Sequence, residues 1–142
     1  MYYLDTAVVL TLFVGESTSA TVQDWLARRS KKLACSDWGL TECASALGIK
    51  CRRGELDAEA AARTFAAINA FTRESCVRIA CAAHHQVAAQ TLLGRFELNL
   101  RAGDALHLAI CRDAGTTLVT YDRLLLAGAA SLDIEARNPL SD

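Results

Sequence analysis

Short apolar runs alternate along this chain with longer, alanine-rich stretches that carry a helical stripe. Tyr2-Tyr3-Leu4 predicts a strand ending at Asp5. Thr6 predicts the cap of a helix through Phe13, and Ser17 or Thr18 the cap of a second through Arg29. Leu33-Ala34-Cys35 predicts another strand, followed by a helix capped by Ser36 or Asp37 that runs to about Arg53 and stops at Gly54. Asp57 caps the next helix, where Phe65, Ile68 and Thr72 form one stripe. Val77 to Ala80 reads as a third strand and Ala83 to Leu93 as a helix ended by Gly94. Gly103-Asp104 opens a helix to about Ala114, closed by Gly115. Thr117 to Thr120 is a fourth strand, Asp122 opens a short helix, and Leu132 to Glu135 reads as a weak edge strand. Strands separated by helices need crossover connections, so the pattern predicts an α/β fold with a parallel sheet.

The chain has 142 residues, enough for one domain with a real core, and one domain over 1–142 is the expectation. Hydrophobic residues make up 52% and charged residues 22%, which excludes a disordered chain. The net charge is −1, so any contact with nucleic acid must be local rather than a whole-molecule basic field. The longest uncharged run, between Arg78 and Arg95, contains His84, His85, Gln86 and Gln90 and is too polar for a membrane span. Asp5 interrupts the apolar start and no basic leader precedes it, which predicts a cytoplasmic protein without a membrane anchor. Cys35, Cys43, Cys51, Cys76, Cys81 and Cys111 form no CxxC pair, and the expectation is reduced thiols acting as small hydrophobes.

In a parallel sheet, sites form beyond the carboxyl ends of the strands. Asp5 follows the first strand and Asp122 the fourth. Glu42 lies in the first turns of the helix after the second strand, and Asp104 at the start of a helix. The topology thus predicts that Asp5, Glu42, Asp104 and Asp122 share one edge. Two carboxylates about 4 Å apart repel by roughly 4 kcal/mol at an effective dielectric near 20. Four must shift their pKa values upward or bind a cation, and an oxygen-only site suits magnesium or manganese. Each acid also has a plainer reading. Asp104 and Asp122 are placed to cap helices, and Glu42 to be a solvated helix residue. Asp5 has no evident structural role in the pattern.

Four segments resemble a known family. Tyr3-Leu4-Asp5-Thr6-Ala7 resembles the opening strand motif of PIN domains. Thr41-Glu42-Cys43-Ala44-Ser45-Ala46-Leu47 resembles the segment with their second acid, and Leu118-Val119-Thr120-Tyr121-Asp122-Arg123 the fourth. Arg101-Ala102-Gly103-Asp104-Ala105-Leu106-His107-Leu108-Ala109 resembles the third-acid motif of the VapC toxins within that family. The resemblance implies a three-layer α/β/α fold around a five-stranded parallel sheet of order 3-2-1-4-5. It implies Mg2+ or Mn2+ at Asp5, Glu42, Asp104 and Asp122, endoribonuclease activity through a metal-activated water, and inhibition by a VapB-like antitoxin. Thr6 and Thr120 would then orient the carboxylates. The alternative within the family is a non-catalytic RNA- or protein-binding module. A phosphatase with Asp5 as nucleophile wants a second Asp two residues on, where Ala7 stands. A receiver domain wants an Asp after the third strand, where Cys81 stands.

His107 lies one turn after Asp104 on the same face and reads first as a satisfied structural histidine. His84 and His85 are adjacent, are expected to point to different faces, and are not read as a metal site. Arg28, Arg29, Lys31 and Lys32 precede the second strand and belong to the edge opposite the acids. Lys50, Arg52 and Arg53 end a helix, where cations suit the dipole. Arg95 and Arg101 flank the loop before Asp104 and are better placed to hold an RNA phosphate. Val8, Val9, Leu12, Phe13, Trp25 and Leu26 exceed what one helix pair needs for packing. That surplus points to a groove for a partner helix or to a homodimer face.

Overall fold

The computed structural model describes residues 1–15 and 17–142. Its chain runs β1 (Tyr2–Leu4), α1 (Thr6–Val14), α2 (Ser19–Ala27), β2 (Leu33–Ser36), α3 (Asp37–Arg52), α4 (Ala58–Ser75) and β3 (Cys76–Ile79). It continues through α5 (Ala83–Leu93), a 3₁₀ turn (Phe96–Leu98), α6 (Ala102–Asp113), β4 (Thr117–Val119), α7 (Arg123–Ala130) and β5 (Ala136–Arg137). The strands form one sheet of order β3-β2-β1-β4-β5, parallel throughout.

Side-chain alternation divides the core into two halves. Tyr3, Ala34 and Leu118 face α5, α6 and α7, packing with Leu92, Leu108, Ile110 and Leu125. Their strand neighbours Tyr2, Leu4 and Val119 face the other way, against Val8, Val22, Trp25, Leu40 and Ile68 of α1 to α4. Helices therefore cover both faces, and the architecture is a three-layer α/β/α sandwich. The six apolar residues singled out in α1 and α2 all lie in or against this second half of the core. Phe13 meets Phe71 edge-on at 5.6 Å and Tyr2 meets Trp25 at 5.3 Å, so core packing takes up the surplus.

Local chemistry sets the helix starts and stops. Ser36 Oγ accepts from Gly39 N at 3.0 Å to cap α3, and Asp57 Oδ1 accepts from Ala60 N at 2.6 Å to cap α4. Gly54 and Gly115 follow α3 and α6 with φ of +73° and +58°, the left-handed conformation expected of those stops. Three expectations shift. The cap of α1 is Asp5 rather than Thr6, with Oδ1 accepting from Val8 N at 2.8 Å. The residues between α5 and α6 include a 3₁₀ turn that the hydrophobic pattern does not mark. The edge strand lies at Ala136–Arg137 rather than 132–135. Leu132 and Ile134 are spent closing α7, both donating their N–H to Ala129 O, with Asp133 at φ 55° between them. Among the described residues, no helix is long and apolar enough to cross a membrane.

A candidate acidic active site at the carboxyl edge of the sheet

The carboxyl ends of β1 and β4 open into a pocket of about 320 Å³. Asp5, Glu42, Asp104 and Asp122 all line it, together with Thr6, His107 and a wall of Ala7, Leu10, Ala46, Ile49 and Leu125. Neither lysine nor arginine is among its lining residues.

Each acid is held by a local hydrogen bond that follows from its place at an element boundary. Asp5 is 4% exposed; besides capping α1, its Oδ2 accepts from Thr120 Oγ1 at 2.5 Å. Thr120 Oγ1 in turn accepts from Asp122 N at 3.0 Å, which couples the first acid to the fourth. Asp122 caps α7, its Oδ1 accepting from Leu124 N and Leu125 N at 2.7 and 3.1 Å. Asp104 Oδ2 accepts from Arg101 N at 3.1 Å in the first turn of α6. The capping role foreseen for Asp104 and Asp122 is therefore real, and Asp5 has one too. Capping uses only part of each carboxylate's acceptor capacity, so it does not compete with lining the pocket.

Glu42 is positioned by a buried relay. Its Oε2 accepts from Thr6 Oγ1 at 2.5 Å and lies 2.7 Å from His107 Nε2. The other ring nitrogen of His107 meets Tyr3 Oη at 2.7 Å, and Tyr3 Oη meets Ser36 Oγ at 2.7 Å. One assignment satisfies every member. Ser36 donates to Tyr3, Tyr3 to His107 Nδ1, and His107 Nε2–H to Glu42, while Gly39 N donates to Ser36. His107 is thus the satisfied histidine anticipated, 3% exposed, and it also lines the pocket. Gly103 completes the clamp. A Cβ there would collide with Glu42 Oε1, so the first turn of α6 can press on the carboxylate only because residue 103 is glycine. Tyr3, Ser36 and Gly103 carry no site signal in the sequence pattern; only the fold brings them to the acids.

The electrostatics split the acids. Burial raises Asp5 above the ordinary carboxylate range, against the hydrogen bonds from Thr120 and Val8, and the charge of Asp122 adds to the rise. Burial also raises Asp104, with Asp122 again adding. Burial pushes Glu42 up as well, but its hydrogen bonds and charge interaction with His107, and that with Thr6, bring it below its ordinary value. Burial pushes the Tyr3 phenol well up, which keeps it a neutral donor. The pocket therefore gathers four carboxylates with no lysine or arginine beside them, and the one imidazole in its lining, His107, is engaged by Glu42 and Tyr3. This fits a hard divalent cation such as magnesium or manganese. Among the described residues, no three of the four acids bring ligand atoms within 4.8 Å of one another. They surround the pocket rather than forming a contact cage. Magnesium, which keeps several waters and takes only one or two carboxylates directly, suits such spacing.

A family model described as PIN domain matches residues 2–129. The chain belongs to the PIN-domain family. Among solved structures, the VapC20 toxin of Mycobacterium tuberculosis, described as cleaving the sarcin-ricin loop, superposes with a TM-score of 0.71 at 20% identity, over 89% of this chain and 94% of that one. FitAcB from Neisseria gonorrhoeae gives 0.69 at 14% identity over 100% of both chains. A toxin–antitoxin complex from Klebsiella pneumoniae gives 0.67 at 19% identity over 98% of both. A search among curated proteins finds no significant match.

The basic residues that the sequence of this PIN domain singles out are largely engaged. Arg29 stacks 3.7 Å from the Trp25 ring centroid and Lys31 4.9 Å from that of Tyr2, so much of that run lies on core aromatics. Lys50 and Arg53 pair with Glu55 at 3.1 and 3.9 Å. Arg95 pairs with Glu97 at 2.9 Å, while Arg101 stands at the cap of α6, where its charge lowers Asp104. The six cysteines are free thiols; Cys35, Cys43 and Cys111 are buried and the others half-buried. One expectation is overturned. His84 and His85 do not diverge: their rings lie 4.0 Å apart at 50°, and both Nε2 atoms reach Asp113. With Asp113 they bring three ligand atoms within 4.8 Å of one another, close enough to share a metal ion. Adjacent positions in a first helical turn need not separate when one ring folds back onto the helix start, as His85 does onto Ala82 N at 3.0 Å.

Proposed function

We propose that this PIN domain is a magnesium- or manganese-dependent endoribonuclease and the toxin of a type II toxin–antitoxin pair. The observation that carries the reading is the lining of one pocket, at the carboxyl edge of a PIN fold, by Asp5, Glu42, Asp104 and Asp122 without a balancing cationic side chain. Asp5, Glu42, Asp104 and Asp122 would hold the metal, Asp5 and Asp104 as its direct ligands. The bound ion supplies Lewis acidity and charge neutralisation for hydrolysis of the phosphodiester. The chain's own residues set the geometry. Thr120 ties Asp5 to the backbone of Asp122, so the two acids move as one unit. Thr6 and His107 fix the plane of Glu42 through Oε2. The apolar wall of Ala7, Leu10 and Leu125 lowers the local dielectric, which strengthens charge interactions at the cleft.

The toxin reading rests on the third-acid motif and on folds shared with VapC20 and with a toxin–antitoxin complex. A VapB-like antitoxin is the expected protein partner, RNA the substrate and a homodimer the expected assembly, in the cytoplasm. The test is cleavage of RNA by purified protein with magnesium or manganese and with EDTA. Cleavage should stop with EDTA and return with metal; undiminished cleavage by metal-free protein would overturn the mechanism and favour a binding module. Titration with the product of the adjacent reading frame should give tight binding and loss of cleavage. Absence of both would remove the antitoxin assignment.

A further inference from the structure

We infer that His84, His85 and Asp113 form a second metal site, for a transition ion such as Zn2+ or Ni2+, independent of the acidic pocket and of the nuclease reading. Asp113 and Asp104 sit at opposite ends of α6, nine residues apart, which is roughly 14 Å at the helical rise. The donor set differs in kind: two imidazole nitrogens and one carboxylate oxygen, suited to borderline metals rather than to magnesium.

Spacing supports the assignment. His84 Nε2 and His85 Nε2 lie 3.3 and 3.2 Å from Asp113 Oδ2. Three donors around one ion at about 2.0–2.1 Å stand about 3.3 Å apart along each edge of a tetrahedron. All three ligand atoms lie within 4.8 Å of one another, so small side-chain rotations close the third edge. Exposure supports it too. The His85 side chain is 4% exposed and, in the ion-free chain, held by Ala82 N, while those of His84 and Asp113 are 62% and 59% exposed. A rigid buried ligand beside two solvent-facing ones leaves an entry path and a fourth position for water.

The proton count is definite. His85 Nδ1 accepts from Ala82 N, so in the ion-free neutral ring the proton sits on Nε2 and points at Asp113. An ion must take the Nε2 lone pair. The ring proton then moves to Nδ1, the bond to Ala82 N is given up, and that N–H turns to water. This exchange costs one backbone hydrogen bond and so weakens binding relative to a site with a free Nε2 lone pair. It also makes metal binding report at the start of α5.

The experiment uses the full chain, with Zn2+, Ni2+ or Co2+ as the probe and Mg2+ as control. Expected are micromolar binding by calorimetry and a rise in melting temperature of roughly 5–10 °C at a hundredfold excess over Kd. Intense visible absorption of a low-symmetry Co2+ complex and a shift of the Ala82 amide resonance should accompany them. His84→Ala and Asp113→Asn, both at exposed positions, should each weaken binding at least tenfold. The Asp5→Asn/Asp104→Asn double variant should keep all four signals. Binding no tighter than about 1 mM, binding unchanged in His84→Ala and Asp113→Asn, or signals lost in the Asp5/Asp104 variant would each overturn the site.

Discussion

Two aspartates on one helix meet opposite fates. Asp104, in the first turn of α6, is raised by burial, accepts a backbone N–H, and shares its pocket with three other acids. Asp113, in the last turn, is exposed and is lowered by hydrogen bonds from His84 and His85. The residue type and the helix are the same; the neighbours differ. At one end four carboxylates gather on a half-buried edge with no lysine or arginine among them. At the other end two imidazole nitrogens hydrogen-bond the carboxylate at the surface. The comparison teaches that placement on a parallel sheet's carboxyl edge, rather than acidity alone, decides whether a carboxylate gathers with other acids around a pocket.

The sharpest way to break this contrast is to neutralise each end in turn. Asp5→Asn or Asp104→Asn should lower metal-dependent RNA cleavage at least about a hundredfold, while Asp113→Asn should leave it within about twofold. Metal-free stability should move the other way. Because Asp5 is raised in the folded state, the folded chain holds that proton more tightly than the unfolded one. Its contribution is full below the unfolded carboxylate range and is lost as pH rises through the folded value. Asp5→Asn should therefore flatten that decline and gain about 1 kcal/mol at neutral pH, read by thermal unfolding in EDTA from pH 4 to 8. Asp113 has the reverse sign: its contribution is present above the ordinary aspartate range and is lost as pH falls through its lowered value. A fully active Asp5→Asn protein would collapse the distinction between the ends.

The relay offers a second, smaller test. Tyr3→Phe removes the group joining Ser36 to His107 and leaves buried polar atoms short of a partner. It should cost about 1–3 kcal/mol by chemical denaturation and about 10- to 100-fold in cleavage, with little change in substrate KM. Unchanged cleavage would make the relay purely architectural. Gly103→Ala sharpens the same point from the other side, since the added methyl pushes on Glu42. A loss of about 1–3 kcal/mol is expected, with cleavage falling more than for alanine placed at Gly48, where the nearest neighbour is the end of Arg52 at 3.4 Å. The smallest effect is electrostatic. Arg95→Ala with Arg101→Ala should flatten the salt dependence of RNA binding by about 0.7 in log–log slope per lost phosphate contact, and Arg28→Ala with Arg29→Ala by less. The reverse ranking would move the RNA to the opposite sheet edge.

What the sequence made legible was local in origin. Strand and helix order, the caps at Ser36, Asp57 and Asp122, and the stops at Gly54 and Gly115 each depend on a few neighbouring residues. The shared edge of the four acids followed from chain topology. What stayed hidden depends on contacts between distant positions. Tyr3 and His107 are separated by 104 residues and Thr6 and Glu42 by 36, and no periodicity marks such pairs. Asp5 seemed to lack a structural role because its cap begins immediately after a strand, where Thr6 offered a familiar capping side chain. The His84–His85–Asp113 cluster escaped because helical adjacency separates side chains only until a ring turns back on its own helix. Edge strand β5 was misplaced because its apolar approach, Leu132 and Ile134, is consumed in closing α7.

The Thr120 bridge has a consequence for the order of events during synthesis. Asp5 is synthesised 115 positions before the hydroxyl that holds its second oxygen. Until then β1 lacks its neighbour β4, and Asp5 Oδ2 lacks the Thr120 hydroxyl. The long loop closures needed for this pairing come late and are slow relative to helix formation. The complete pocket therefore first exists when the fourth strand docks beside the first.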